Sequence, residues 1–304
     1  MKKNKNSIAV IGQGFVGGSL TQVFSERGFH VYAYDKAGIA APGAHELSNK
    51  LSLRGMVDYA ERVAITKGEK FVGVYFVCVP TPMRKSGAAD LSIVESVLQE
   101  LADIPGERVA VVKSTVPPGS TDAWNKRFNE SGLTVVFCPE FLTEANALED
   151  MRNQTRIIVG GPRPASSMVK DVFRRAFPDT PIIKTGSTTA EMVKYFTNSF
   201  LSTKVSFANE IYQICESLDI DYDKVVEYSL YDDRIGKTHL SVPGPDGSLG
   251  FGGHCFPKDL GALIFLARQL GIMPSVLQGV RDKNDEVRVD RDWERQVGRA
   301  VSEE

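Results

Sequence analysis

Residues 8–35 constrain the fold of this chain more than any other stretch. Ile8 to Ile11 (IAVI) reads as a short buried strand. It runs into Gly12-Gln13-Gly14-Phe15-Val16-Gly17, then into a helical pattern that reaches Arg27, with Gly28 as the stop. His30 to Tyr34 reads as a second strand and ends at Asp35, 18 residues after Gly17. A strand, a GxGxxG turn, a helix, a strand and an acid make the fingerprint of a dinucleotide-binding unit. The glycines let backbone N–H groups approach a pyrophosphate at the helix N-terminus. Gly12, Gly14, Phe15, Val16 and Gly17 are therefore candidate cofactor contacts. Asp35 is placed to accept hydrogen bonds from an adenosine ribose, and its charge repels a 2′-phosphate, which favours NAD over NADP. Lys36 beside it pulls the other way.

The alternation continues. Strands are expected at 72–79, 109–112, 134–137, 156–159 and 181–184, with helices at 91–102, 120–129 and 165–176. Strands alternating with helices predict an α/β fold, a Rossmann-like doubly wound parallel sheet. In such sheets ligands gather outside the carboxyl ends of the strands, where Asp35, Thr81, Thr115 and Glu140 all fall. Each alone could equally be a turn or cap residue.

The pattern changes near residue 187. Thr188-Thr189-Ala190-Glu191 fits a capping box, and a helix is expected from 188 to about 218 with no Pro or Gly inside. Its apolar positions cover much of the circumference, so it reads as the spine of an all-helical second domain that also packs on a partner subunit. The expected domains are 1–187 and 188–304. Lys194 and Asn198, four apart, share a face of this helix; spacing alone favours a solvated pair. A further helix is expected at 221–229, followed by an irregular segment, 231–253, long enough to imply function or disorder. Helices from Pro257 to Leu270 and from Pro274 to about Val289 precede a polar stretch, DRDWERQVGRAVSEE.

The four cysteines have no CxxC spacing and do not cluster with the four histidines, which argues against zinc and for a reduced, cytoplasmic protein. Cys78, Cys138 and Cys215 lie in apolar runs. Cys255 does not: it follows Gly250, Gly252 and Gly253 and precedes Pro257-Lys258-Asp259. At a helix start the thiolate is favoured, and Lys258 adds to this. A thiolate beside a dinucleotide site can trap an aldehyde as a thiohemiacetal, which further oxidation turns into a thioester for water to hydrolyse. The net charge of −2 gives no sign of a nucleic-acid or anionic-membrane partner. No apolar run of about 18 residues suggests a membrane span.

These blocks resemble the UDP-glucose/GDP-mannose dehydrogenase family along nearly the whole chain. The likeness rests on GQGFVG with Asp35, VPTP at 79–82, KSTVPPG at 113–119, PEFLTEANALED at 139–150, EMVKYFTN at 191–198, DRIG at 233–236 and GFGGHCFPKD at 250–259. The resemblance implies oxidation of a nucleotide sugar's C6 alcohol to a uronic acid with two NAD, UDP-glucose being the commonest substrate. It implies Cys255 as nucleophile, and Lys194 and Asn198 as the pair that stabilises the reacting oxygen. Glu140 is then the base for thioester hydrolysis, with Thr115 and Asp259 positioning a water. Thr81, Thr115 and Lys258 lie by the cofactor. Phe141, Leu142, Glu144, Lys194, Asn198, Gly252 and Arg234 contact the substrate, Arg234 from across a homodimer interface. Glu144-Ala145-Asn146-Ala147 departs from the family's usual Glu-Gly-x-Ala. The family's third domain, which grips the nucleotide diphosphate, is not found in these residues; they are expected to be either a fragment or, as the polar stretch and the 236–249 loop favour, a compact form in which 236–249, Arg234 and the polar stretch supply those contacts. GDP-mannose or an N-acetylated UDP-hexosamine stays open as the substrate, and two other readings stand beside this one. A β-hydroxyacid dehydrogenase would make a single hydride transfer without a cysteine, and a non-catalytic NAD-binding module would make none.

Overall fold

The computed structural model describes residues 6–44, 46–47, 52–66 and 70–303, so Met1–Lys5 of the basic start lie outside it. Two compact units emerge: residues up to Thr81 with Leu91–Lys194, and Pro82–Asp90 with the chain from Tyr195 onward.

The first unit is built on strands β1 (Asn6–Ile11), β2 (His30–Tyr34), β3 (Glu46–Leu47), β4 (Lys70–Val77), β5 (Arg108–Val112), β6 (Leu133–Phe137), β7 (Ile157–Gly160) and β8 (Ile182–Thr185). They form one sheet in the order β3-β2-β1-β4-β5-β6-β7-β8. Every pairing is parallel except β6 with β7, which meet antiparallel at Phe137 and Gly160. The β-strand period of two explains why both faces are buried. Ile8 and Val10 enter one core with Val74, Phe76, Val109 and Val111, while Ala9 and Ile11 enter the other with Tyr75, Val77, Ala110 and Val112. Helices α1 (Phe15–Glu26) and α6 (Ala165–Ala176) cover the first core, where Phe24, Phe76 and Phe173 pack edge to face or tilted. Helices α2 (Leu53–Thr66), α3 (Ser92–Ala102) and α4 (Ser120–Arg127) cover the second. Each fully buried side chain of this size contributes roughly 1.5–3 kcal/mol. Three elements were not expected from the sequence: β3, α2 and the short α5 (Ala147–Arg152).

Helix α7 (Ser187–Ser217) begins in the first unit and belongs to the second from Tyr195. The second unit adds α8 (Tyr222–Ser229), α9 (Cys255–Gln269), α10 (Ser275–Val287) and a 3-10 turn at Asp292–Arg295. Segment 231–253 holds no helix or strand. The capping box expected at 188–191 does not form. Glu191 turns away to accept from the Gly119 and Thr121 amides and the Thr121 hydroxyl, capping α4, whose own N-cap is a glycine. Asp122, in the first turn of α4, in turn accepts from the Ser187 and Thr188 hydroxyls at 2.5 and 2.9 Å. No helix among the described residues is long and apolar enough to cross a membrane.

Candidate active site

The carboxyl ends of β1 and β4 lie side by side, because the strand order reverses at β1. The crevice of an open α/β sheet sits at such a point. Gly12 takes φ +85°, and a Cβ there would overlap the Cys78 carbonyl oxygen, so only glycine lets the two loops touch. A Cβ on Gly17 would overlap the Gly12 carbonyl oxygen in the same way. Gly14 precedes α1 without a side-chain cap, and a Cβ on it would meet nothing within 4 Å, so a phosphate has room to approach the backbone. Phe15 and Val16 form the first turn of α1. Asp35 accepts from the Gln13 amide and the Ala37 amide, both at 2.8 Å, which pins it at the rim. Each carboxylate oxygen keeps a second lone-pair site for a ribose hydroxyl. Lys36 is exposed beside it. The buried Thr81 donates to the Thr115 carbonyl at 2.9 Å, and Ser114 donates to the Val79 carbonyl at 2.6 Å, lacing VPTP to KSTV. These residues fit a dinucleotide.

Beyond β6 a buried charge cluster forms. Lys194, 3% exposed, donates to the Glu140 carbonyl at 2.8 Å and to its carboxylate at 2.9 Å. Burial pushes the Glu140 carboxyl up. The Lys194 charge and hydrogen bond, the Leu142 amide at 2.6 Å and the Lys113 charge outweigh burial and hold it below the usual carboxylate range. Lys113, at the foot of KSTVPPG, is itself buried and donates to the Pro139 carbonyl at 3.1 Å. Phe141 lies under the Arg156 guanidinium at 4.1 Å and the Lys194 ammonium at 5.6 Å. Glu140, Phe141 and Leu142 also line a cavity of about 280 Å³ with Lys113, Thr143 and Arg156. Glu144 is exposed.

A second cluster sits in the other unit. Asp259, 1% exposed, accepts from Asn198 at 2.5 Å and from Lys258 at 2.6 Å. Cys255 is half-buried and is the first residue of α9, with His254 as N-cap, so the helix starts two residues earlier than Pro257 and takes the cysteine into its first turn. The earlier start follows from Pro257, which tolerates the first helical turn because no intrahelical N–H is needed there. Desolvation pushes the Cys78 thiol up to about 12 and raises Cys138, so both stay protonated, and Cys215 is buried. Arg234 is exposed and ion-paired with Asp232 at 2.6 Å. Gly252 lies against Asp292 and Arg288.

Lys194 and Glu140 thus come together in one unit, and Asn198, Asp259 and Lys258 in the other. Lys113, Arg156, Arg288 and Asp292 were not singled out from the sequence. Lys113 opens a quoted motif and could have been found there. Asp292 had no local signal, since its partner Gly253 is 39 residues away.

Residues 6–177 match the NAD-binding domain of the UDP-glucose/GDP-mannose dehydrogenase family, and residues 188–286 match that family's central domain. This chain belongs to the UDP-glucose/GDP-mannose dehydrogenase family. As a family member it carries an NAD-binding domain, and its cofactor is NAD. It is 33% identical to the UDP-glucose 6-dehydrogenase TuaD of Bacillus subtilis, over 93% of this chain and 63% of that protein. It is 32% identical to the UDP-glucose 6-dehydrogenase AglM of Haloferax volcanii, over 91% of this chain and 69% of that protein. The structure of a UDP-glucose dehydrogenase from Pyrobaculum islandicum superposes with a TM-score of 0.76 at 31% identity, covering 94% of this dehydrogenase-family chain and 69% of that one. The chain therefore spans about two thirds of the length of the curated relatives it matches.

Proposed function

We propose that this chain takes part in the four-electron oxidation of the C6 alcohol of a nucleotide sugar, UDP-glucose to UDP-glucuronate, with Cys255 as nucleophile. The observation that carries the reading is Cys255 at the first position of α9, half-buried, while Cys78 and Cys138 are held as thiols and Cys215 is buried. A helix N-terminus favours the thiolate, which is the nucleophilic form. The names of the relatives favour UDP-glucose as substrate.

NAD, when bound, would supply the hydride acceptor, one molecule for each of the two oxidations. Gly12, Gly14, Phe15, Val16 and Gly17 would hold its pyrophosphate, and Asp35 its ribose. The Cys255 sulfur forms a bond to the aldehyde carbon as the carbonyl π pair moves onto oxygen. Lys194 and Asn198 carry the N–H donors that stabilise this oxygen. After the second oxidation the carbon is a thioester. Glu140, held ionised, accepts a proton from water; the resulting hydroxide adds to the carbon, and the C–S bond breaks to return the thiolate and release the acid. Asp259, gripped by Asn198 and Lys258, keeps the Asn198 amide oriented while Thr115 and Asp259 align the water. Phe141, Leu142, Glu144 and Gly252 line the substrate's path.

The working form in this reading is a homodimer through α7. Phe196, Phe200, Phe207, Ile214 and Leu218 are exposed, and their spacing puts them on one helix face. Phe196 is 66% exposed and stacks on Phe200. Arg234 on the surface would then reach the neighbouring subunit's substrate.

The test counts NADH. Two NADH per UDP-glucose are expected, against one for a single-step hydroxyacid-type oxidation and none for a non-catalytic module. In Cys255→Ser, acid formation should fall to background while NAD affinity is unchanged. Undiminished acid formation would rule out the thioester route.

A further inference from the structure

We propose that segment 288–302 is a clamp that positions Cys255, with the Asp292 carboxylate as its key positioning group; this rests on the reading of Cys255 as the nucleophile. Glycine-rich chain is conformationally loose, so Gly250–Gly253 cannot by itself aim a sulfur. The structure holds it with buried polar side chains. Asn209 accepts from the Gly250 amide at 3.0 Å, and Asn284 accepts from the Phe251 amide at 2.7 Å and donates to the Phe251 carbonyl at 3.1 Å. Asp292 accepts from the Gly253 amide at 2.9 Å, two residues before the sulfur.

Asp292 is itself held. Arg288, 5% exposed, donates to it at 3.2 Å, pairs with Asp246 at 2.7 Å and donates to the Asp290 carbonyl at 2.8 Å. One guanidinium therefore ties the loop before Gly250 to the segment after α10. Gly252 leaves no room for a Cβ: it would overlap both the Asp292 carboxylate and the Arg288 guanidinium. Buried Trp293 anchors the turn that follows.

The other end of the segment bonds Met83, which lies against the same helix. Met83 donates from its amide to the Ala300 carbonyl at 2.8 Å, and the Ser302 amide donates back to Met83 at 2.9 Å. The Met83 sulfur lies against Gly261 in α9, 2.5 Å from where a Cβ on that residue would stand. The clamp thus touches the loop that leads into Cys255 and, through Met83, reaches the helix that leads out of it.

The experiment compares the parent chain with Asp292→Ala and Asp292→Asn. Three quantities are read: the iodoacetamide alkylation rate of Cys255 by peptide mass spectrometry without substrate, kcat against KM, and NAD affinity with thermal midpoint. In Asp292→Ala, alkylation and kcat should each fall about tenfold or more, as expected when a reacting atom is misplaced by an ångström, while NAD affinity holds. Asp292→Asn should fall between, because it keeps an acceptor for Gly253 but loses the ion pair with Arg288. Parental alkylation and kcat in a folded Asp292→Ala would overturn the proposal. So would losses matching the loss of NAD-binding protein, which mark a merely structural role. If the alanine variant does not fold, Asp292→Asn decides, and rates equal to the parent's would count against the clamp. Alkylation needs no turnover: an active Cys255→Ser would sink the proposed function, whereas unchanged alkylation in Asp292 variants would sink the clamp alone.

Discussion

Lys194 and Glu140 are both charged and both nearly out of reach of water, at 3% and 9% exposure. Removing one partner of such a pair strands the other, which typically costs 3–5 kcal/mol. Lys194→Met should therefore destabilise the protein by about 3–5 kcal/mol in urea unfolding. The pH dependence gives the sign. The Glu140 carboxyl is held below its ordinary 4.5 in the folded protein, so its contribution is fully present above that value and is lost as pH falls through the lower folded one. Unfolding free energies measured from neutral to acid pH should show this loss in the parent and a flatter acid limb in Lys194→Met. Identical limbs would mean that Lys194 does not hold the carboxylate. The residue types were legible in the sequence, but their partnership was not. Spacing alone read Lys194 and Asn198 as a solvated pair; both are buried, and Lys194 bonds Glu140, 54 residues distant. Side-chain reach across a fold is invisible to linear spacing.

At the scale of elements, α7 caps α4, and side-chain hydrogen bonds tie the two helix starts together. Glu191 satisfies amides at the start of α4, and Asp122 takes the hydroxyls of Ser187 and Thr188. Burial raises the Glu191 carboxyl more than its donors lower it. Glu191→Ala should lower stability by about 1–2 kcal/mol, the usual cost of a lost cap, and speed amide exchange at Gly119 and Thr121. Unchanged exchange there would show that the cap is supplied otherwise. Sequence spacing located the acid but assigned it to its own helix, because a local capping box and a cross-helix cap use the same residue types. The elements missed, β3, α2 and α5, include two of the shortest, and short pieces owe their form to tertiary packing rather than to propensity. Cys255 shows the same at a boundary, since Pro257 marks a helix's first turn without naming its first residue.

For the whole molecule, the exposed row Phe196, Phe200, Phe207, Ile214 and Leu218 is an apolar face that a monomer would leave in water. Replacing Phe196, Phe200 and Phe207 together by Ser should convert the proposed dimer to monomer in sedimentation velocity; a parent that already sediments as a monomer would remove that part of the proposal. The sequence by itself determined the α/β alternation, the dinucleotide turn, the long helix and the one cysteine outside an apolar run. These are properties of periodicity and of residue chemistry at short range, which the chain expresses locally. The antiparallel seam between β6 and β7, the pairing of Glu140 with Lys194, the capping of α4 by Glu191, and the hold of Asp292 on Gly253 were decided only by the tertiary structure. Each joins residues far apart along the chain, and burial selects such partners by requiring that every buried polar group find one.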